Sequence, residues 1–170
     1  DNVSDLLSTV PGDVVPELPN LLAAGLTRPI SGECLCCAHW GLALVITAEC
    51  DGERRSLLFD SGPEAYAVER NGDPLGIDCG AIDSIVLSHG HWDHAGGELA
   101  AVARVHEANG GRPVPFHVNP DMFVTRALRF PDGRLVEFRD VPTTAALEKA
   151  GAAIVEDAAA RSLHNGMFYL

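Results

Sequence analysis

The chain has 170 residues, a length that suits one domain, and 46% of them are hydrophobic, enough to build a core. A formal net charge of −12 excludes sequence-independent nucleic-acid binding and docking on anionic membrane surfaces, since both need clustered Lys and Arg. No apolar run approaches the length of a membrane span.

Residues 1–30 read as loop, because Pro11, Pro16, Pro19 and Pro29 break any long helix. Leu42–Ala48 is apolar and β-branched and predicts a buried strand. Asp51-Gly52 is a turn signal, and Ser56–Phe59 completes a hairpin. Asp60-Ser61-Gly62-Pro63 ends that hairpin. A helix follows over 64–71, stopped by Gly72, Asp73 and Pro74. Ile82–Leu87 is short and continuously apolar, which predicts a strand covered on both faces. Gly96–Asn109, rich in Ala, Leu and Val, predicts a helix ended by Gly110 and Gly111. Val114–Val118 and Arg134–Phe138 read as strands. Thr143–Ala150 reads as a short helix capped by Thr143 or Thr144. Ala152–Val155 is a further strand, and Met167–Leu170 resembles a strand cut short. Strands alternating with helices predict a layered α/β domain, with no repeat and no linker to mark a second one.

The five cysteines are Cys34, Cys36, Cys37, Cys50 and Cys79. Their odd number and the C-x-C-C cluster do not form a secreted disulfide framework. With no signal-peptide pattern at the start, they read as reduced thiols of a cytoplasmic protein. A soft-metal site at Cys34, Cys36 and Cys37 is the alternative, weakened by the lack of a second ligand pair at zinc-finger spacing.

Residues 85–97 read IVLSHGHWDHAGG. His89, His91, Asp93 and His94 fall within six positions, after one strand and before a helix. Neutral imidazoles and carboxylates suit Zn, Fe and Mn. Alternate residues of an extended segment point the same way, so His89 and His91 can address one metal. Asp93 and His94 come one turn later and can address a second. Paired metals activate a water and clamp a leaving oxygen. Surface histidines beside a turn are the bland alternative, and four potential ligands at this spacing argue against it.

LSHGHWDHAGG resembles the H-x-H-x-D-H signature of the metallo-β-lactamase superfamily. Leu57-Leu58-Phe59-Asp60-Ser61-Gly62 resembles its strand ending in Asp-(Thr/Ser)-Gly, whose aspartate supports the metal ligands from behind. Three further stretches resemble the dihydropterin-ribofuranosylaminobenzene-phosphate synthase-like branch. They are Asp1-Asn2-Val3-Ser4-Asp5, His39-Trp40-Gly41-Leu42-Ala43-Leu44 and Leu75-Gly76-Ile77-Asp78. The resemblance implies an αββα four-layer sandwich with one or two Zn ions, Fe or Mn being possible, at one sheet edge. It places His39 near the rim. Trp92, between ligands, can wall the site or contact a substrate ring, or else pack in the core. The family's later Cys-Ser-His element is missing, and Asn119 stands where a His-Pro-Asp is expected, with His117 two residues earlier. The 170 residues therefore read as one domain comprising the first half of the sandwich. Either the sequence is a fragment, or the gene product is truncated, or a second copy or a second chain completes it. His117 is a candidate for the rim, or for a swapped ligand, against a structural role. His106 reads as solvated, His164 as a possible lining of the substrate mouth, and Cys79 as a packed thiol.

The expected function is a metal-dependent hydrolase using a metal-bound hydroxide, with Asp93 orienting it or accepting its proton. Expected substrates are small: a phosphoester, phosphodiester or pterin-like phosphate first, a lactone or thioester second. A non-catalytic metal-binding half-domain is the alternative, and a di-iron redox protein a more distant one.

Overall fold

A two-residue turn at Asp51-Gly52, both in the left-handed region (φ 52° and 80°), folds strand β1 (Leu44–Cys50) back on β2 (Glu53–Phe59). The pairing is antiparallel and closes on Cys50 opposite Glu53, as a tight hairpin requires. The computed structural model describes residues 12–14, 19, 22, 32, 35–138 and 141–170. Apart from isolated positions, the loop reading of 1–30, the stretch Asp1–Asp5 and Cys34 lie outside the described residues.

Helix α1 (Ala65–Gly72) follows, then a 3₁₀ turn (Cys79–Ala81) and strand β3 (Ser84–Val86). One helical turn, α2 (Trp92–Ala95), precedes the longer α3 (Glu98–Ala108). Strand β4 (Val114–Val118) lies where the sequence predicts it. A hairpin of β5 (Ala127–Arg129) and β6 (Leu135–Glu137) comes next, then α4 (Thr144–Ala150) and β7 (Ala152–Glu156). The Thr143 side chain caps α4 by accepting from Ala146 N. A last small hairpin pairs β8 (Ser162–Leu163) with β9 (Phe168–Tyr169).

The main sheet runs β1-β2-β3-β4-β7, with β2, β3, β4 and β7 parallel. Register neighbours Leu58, Ile85 and Phe116 form one row across it. That row packs with Val102 and Val105 of α3 and Leu147 of α4 in a single core. Each such side chain, once buried, contributes about 1.5–3 kcal/mol. The opposite row carries Ser84, Val86 and His117, and the segment after β7 reaches it. The Ser84 hydroxyl lies 3.2 Å from His164 Nε2, and Arg161 Nη2 lies 3.1 Å from His117 Nδ1. This accounts for β3 being buried on both sides.

Two expectations need correction. The apolar strand predicted as buried is an edge strand: Leu44, Val45 and Ile46 are 44%, 41% and 39% exposed. Among the described residues β1 pairs only with β2, and β-branched composition reports strand tendency without reporting a cover. His106 is half-buried and not simply solvated. Its Nδ1 lies 2.9 Å from Arg112 O, and its ring packs against Gly151.

Candidate metal centre

Parallel pairing brings the carboxyl ends of β2, β3 and β4 to one end of the sheet, where open α/β sheets bind ligands. Asp60 leaves β2 there, Ser88 to His94 leave β3, and residues 119–126 leave β4. The Asp60 backbone is left-handed (φ 59°), a conformation that Asp and Asn tolerate better than other side-chain-bearing residues. Its N–H donates to Val86 O, and Ser61 N and Oγ both donate to His94 O. Glycines let the backbones close up: a Cβ on Gly96 would lie 1.7 Å from Pro63 O, and one on Gly97 2.4 Å from Ser61 O.

The Asp60 carboxylate is fully buried. It accepts from Ser88 N (2.7 Å), Ser88 Oγ (2.8 Å) and His94 Nδ1 (2.7 Å). Because the Ser88 hydroxyl has one proton and gives it to Asp60, it can only accept from His89 Nδ1, 2.9 Å away. One buried carboxylate therefore fixes two tautomers, one directly and one through a hydroxyl. In both rings Nδ1 carries the proton and Nε2 presents a lone pair.

Each lone pair faces a second potential metal ligand. His89 Nε2 lies 3.0 Å from His91 Nδ1, and His94 Nε2 lies 3.6 Å from Asp93 Oδ2. The His89 and His94 rings are 4.2 Å apart between centroids. Tetrahedral nitrogens about 2.05 Å from a zinc ion are about 3.3 Å from one another, so the His89–His91 separation suits one shared cation. Burial, and then the neighbouring His94 and His91, hold the His89 pKa below 6.5, in the neutral form that ligation needs. The donors form two pairs. Among the described residues no group of three or more His, Cys, Asp or Glu is placed to enclose an ion.

Of the residues singled out in the sequence, His89, His91, Asp93, His94 and Asp60 come together here. His39 Nε2 lies 2.6 Å from Glu64 Oε1, and three residues on Leu42 N donates to Asp93 O. With Trp40 and Pro63, His39 lines an apolar cavity of about 200 Å³ between α1, α3 and the hairpin. Trp92 is 40% exposed beside the ligands, which rules out a core role. His117 is buried and paired with Arg161, at a second cavity of about 240 Å³ that also includes Asn119 and Asp157. Its pKa is lowered to about 4, by burial first and then by Arg161 and His164. Cys79 packs against the core, and Cys37, Cys50 and Cys79 are free thiols.

Sequence reasoning missed Ser88 and Glu98. Ser88 was legible only once its neighbour His89 needed an orienting group. Glu98 sits in the first turn of α3, where an acid normally faces solvent, yet it is fully buried. Neither of its oxygens has a hydrogen-bond partner among the described residues. Burial, with the Asp60 charge adding to it, raises its pKa well above 4.5.

A family model described as the metallo-β-lactamase superfamily matches residues 41–148, more than half of the chain and all of this site. The chain belongs to the metallo-β-lactamase superfamily. The mixed sheet, with helices on one face and the His-rich loop at its carboxyl end, is consistent with that superfamily's α/β sandwich. A 7,8-dihydropterin-6-methyl-4-(beta-D-ribofuranosyl)-aminobenzene-5'-phosphate synthase of Methanocaldococcus jannaschii is similar, 31% identical over 83 residues. That alignment covers 49% of this chain and 26% of the relative, so the chain spans about a quarter of the synthase it matches.

Proposed function

We propose that this superfamily member is a metal-dependent hydrolase acting on a phosphoester, phosphodiester or pterin-like phosphate. The observation that carries the reading is the buried Asp60 carboxylate. It turns the Nε2 atoms of His94 and, through Ser88, of His89 toward Asp93 and His91. The donor chemistry and the 3.0 Å His89–His91 pair fit a zinc-like cation, with Fe or Mn as alternatives. His89, His91, Asp93 and His94 would hold one or two ions. A divalent cation there supplies Lewis acidity and brings the pKa of a water toward neutrality.

The chain's own groups do the rest. Asp93, about one-third exposed, can orient an attacking water and accept its proton. Asp60 holds the proton on His94 Nδ1, which keeps Nε2 free to ligate. Trp92 offers an exposed aromatic face beside the ligands for a substrate ring. The printed name of the archaeal relative, a 5'-phosphate synthase, supports a phosphorylated substrate over a lactone or thioester.

A second reading is a metal-binding half-domain, completed by another copy or another chain. The open two-donor sets and the exposed apolar strand β1 favour it. Elemental analysis of protein purified without chelator, paired with bis(p-nitrophenyl) phosphate hydrolysis, separates the two. Bound metal with chelator-sensitive turnover supports the hydrolase. Bound metal without turnover of phosphoesters, lactones or thioesters supports the half-domain.

A further inference from the structure

The loop that leaves β4 reaches back over the histidine motif. Within it, Arg126 Nη1 donates to Met122 O (2.9 Å) and Val124 O (3.1 Å), and Nη2 donates to Asp121 O (3.4 Å). The guanidinium rests on Gly90, the residue between His89 and His91. A Cβ on Gly90 would lie 2.7 Å and 2.9 Å from its two terminal nitrogens and 2.1 Å from Met122 O. A glycine at the centre of the motif is therefore what lets this cation approach.

Arg126 differs from the five arginines that pair with a carboxylate; like Arg112, whose Nε donates to Asn109 O, it is held by neutral carbonyls. Arg54, Arg55, Arg104, Arg134 and Arg161 each pair with a carboxylate. Among the described residues no carboxylate lies within ion-pair distance of Arg126, and neutral carbonyls hold it instead. Carbonyls fix a guanidinium in place without cancelling its charge. Three of its five N–H groups are used, and two remain for an outside acceptor. The residue is half-exposed, so that acceptor can come from solution. In a chain of net charge −12, a fixed cation without a carboxylate partner, set against the ligand loop, has the chemistry to meet an anion.

We infer that Arg126 binds a phosphoryl group at the Gly90 side of the loop that carries His89 and His91, through its free N–H groups and its unpaired charge. The substrate class it selects is phosphorylated, an inference that rests on the hydrolase reading for its catalytic meaning but not for its binding. Arg126 is thus a specificity residue, and Gly90 the residue that admits it.

The probe is inorganic phosphate, titrated calorimetrically into the full chain, zinc-loaded and chelator-stripped. The variants are Arg126→Ala, Arg126→Gln and Arg126→Lys. Gln retains a donor for the loop carbonyls but loses the charge, whereas Lys keeps the charge. Circular dichroism melting confirms that each variant folds. The expected result is phosphate binding weakened about tenfold or more in Ala and Gln, and within about threefold of wild type in Lys. Wild-type affinity in Arg126→Gln, or no saturable phosphate binding by the wild type, overturns the inference. Arg126-dependent phosphate binding without any hydrolysis would uphold the receptor and count against the hydrolase. Hydrolysis of bis(p-nitrophenyl) phosphate with an unchanged KM in Arg126→Gln would do the reverse.

Discussion

Replacing Asp60 by Asn tests the site at its root. Asn tolerates the left-handed backbone at φ 59°, so the substitution changes a functional group without forcing the chain. The new amide retains one oxygen for Ser88 N. Its NH₂ then faces His94 Nδ1, where the carboxylate had accepted at 2.7 Å. Two donors cannot face each other, so the His94 proton moves to Nε2, the atom directed at Asp93. A protonated nitrogen cannot ligate. Losing such an orienting group costs about 10–100-fold in metal affinity, or about 1.4–2.8 kcal/mol. The folded state loses about 1–3 kcal/mol more if the tautomer does not adjust and a buried donor stays unmet. Zinc competition against a chromophoric chelator measures the first effect, and urea denaturation of the metal-free protein the second. A zinc Kd within threefold of wild type would refute the tautomer reasoning.

Three further outcomes are expected. His117 has its pKa lowered to about 4 from 6.5, so the unfolded chain binds a proton that the folded one refuses between those values. Its contribution is complete above about pH 6.5 and is lost as pH falls toward 4, amounting to at most about 3 kcal/mol. His117→Gln should flatten that part of the acid profile in urea melts, and an unchanged profile would rule the idea out. Glu98 has its pKa raised, so the unfolded chain ionises first and the wild type loses stability as pH rises above 4.5. Glu98→Gln should therefore gain on the wild type from pH 5 to pH 8 in thermal melts, and a constant difference contradicts the burial argument. Gly96→Ala drives a Cβ to 1.7 Å from Pro63 O. It should cost about 1–3 kcal/mol or more; a urea midpoint equal to wild type would show that the loop yields freely.

Local signals in the sequence were strong where backbone and side chain demand the same thing. Asp51-Gly52 can hardly be anything but a hairpin turn, Thr143 caps its helix, and continuous apolar runs mark the buried parallel strands. The motif from His89 to His94 declared its chemistry by residue type alone. Other features were hidden because they depend on what lies opposite. Nothing in Leu44, Val45 or Ile46 announces that their neighbours leave them uncovered. The strands β5, β8 and β9 are two or three residues long, too short for alternation to show. Glu98 looks like any acid at a helix start until Asp60 and the close Gly97 contact bury it.

The Asp60–Ser88–His94 linkage joins loops that are distant in sequence and meet only when β2 and β3 dock in parallel register. Such pairing is nonlocal and is expected to form after the β1–β2 hairpin. A peptide carrying residues 85–97 alone would lack the carboxylate that sets its tautomers, so it would hold histidines without holding them in order. A cation added during refolding thus finds nothing to grip until docking is over. It is expected to slow unfolding and to leave the folding rate nearly untouched.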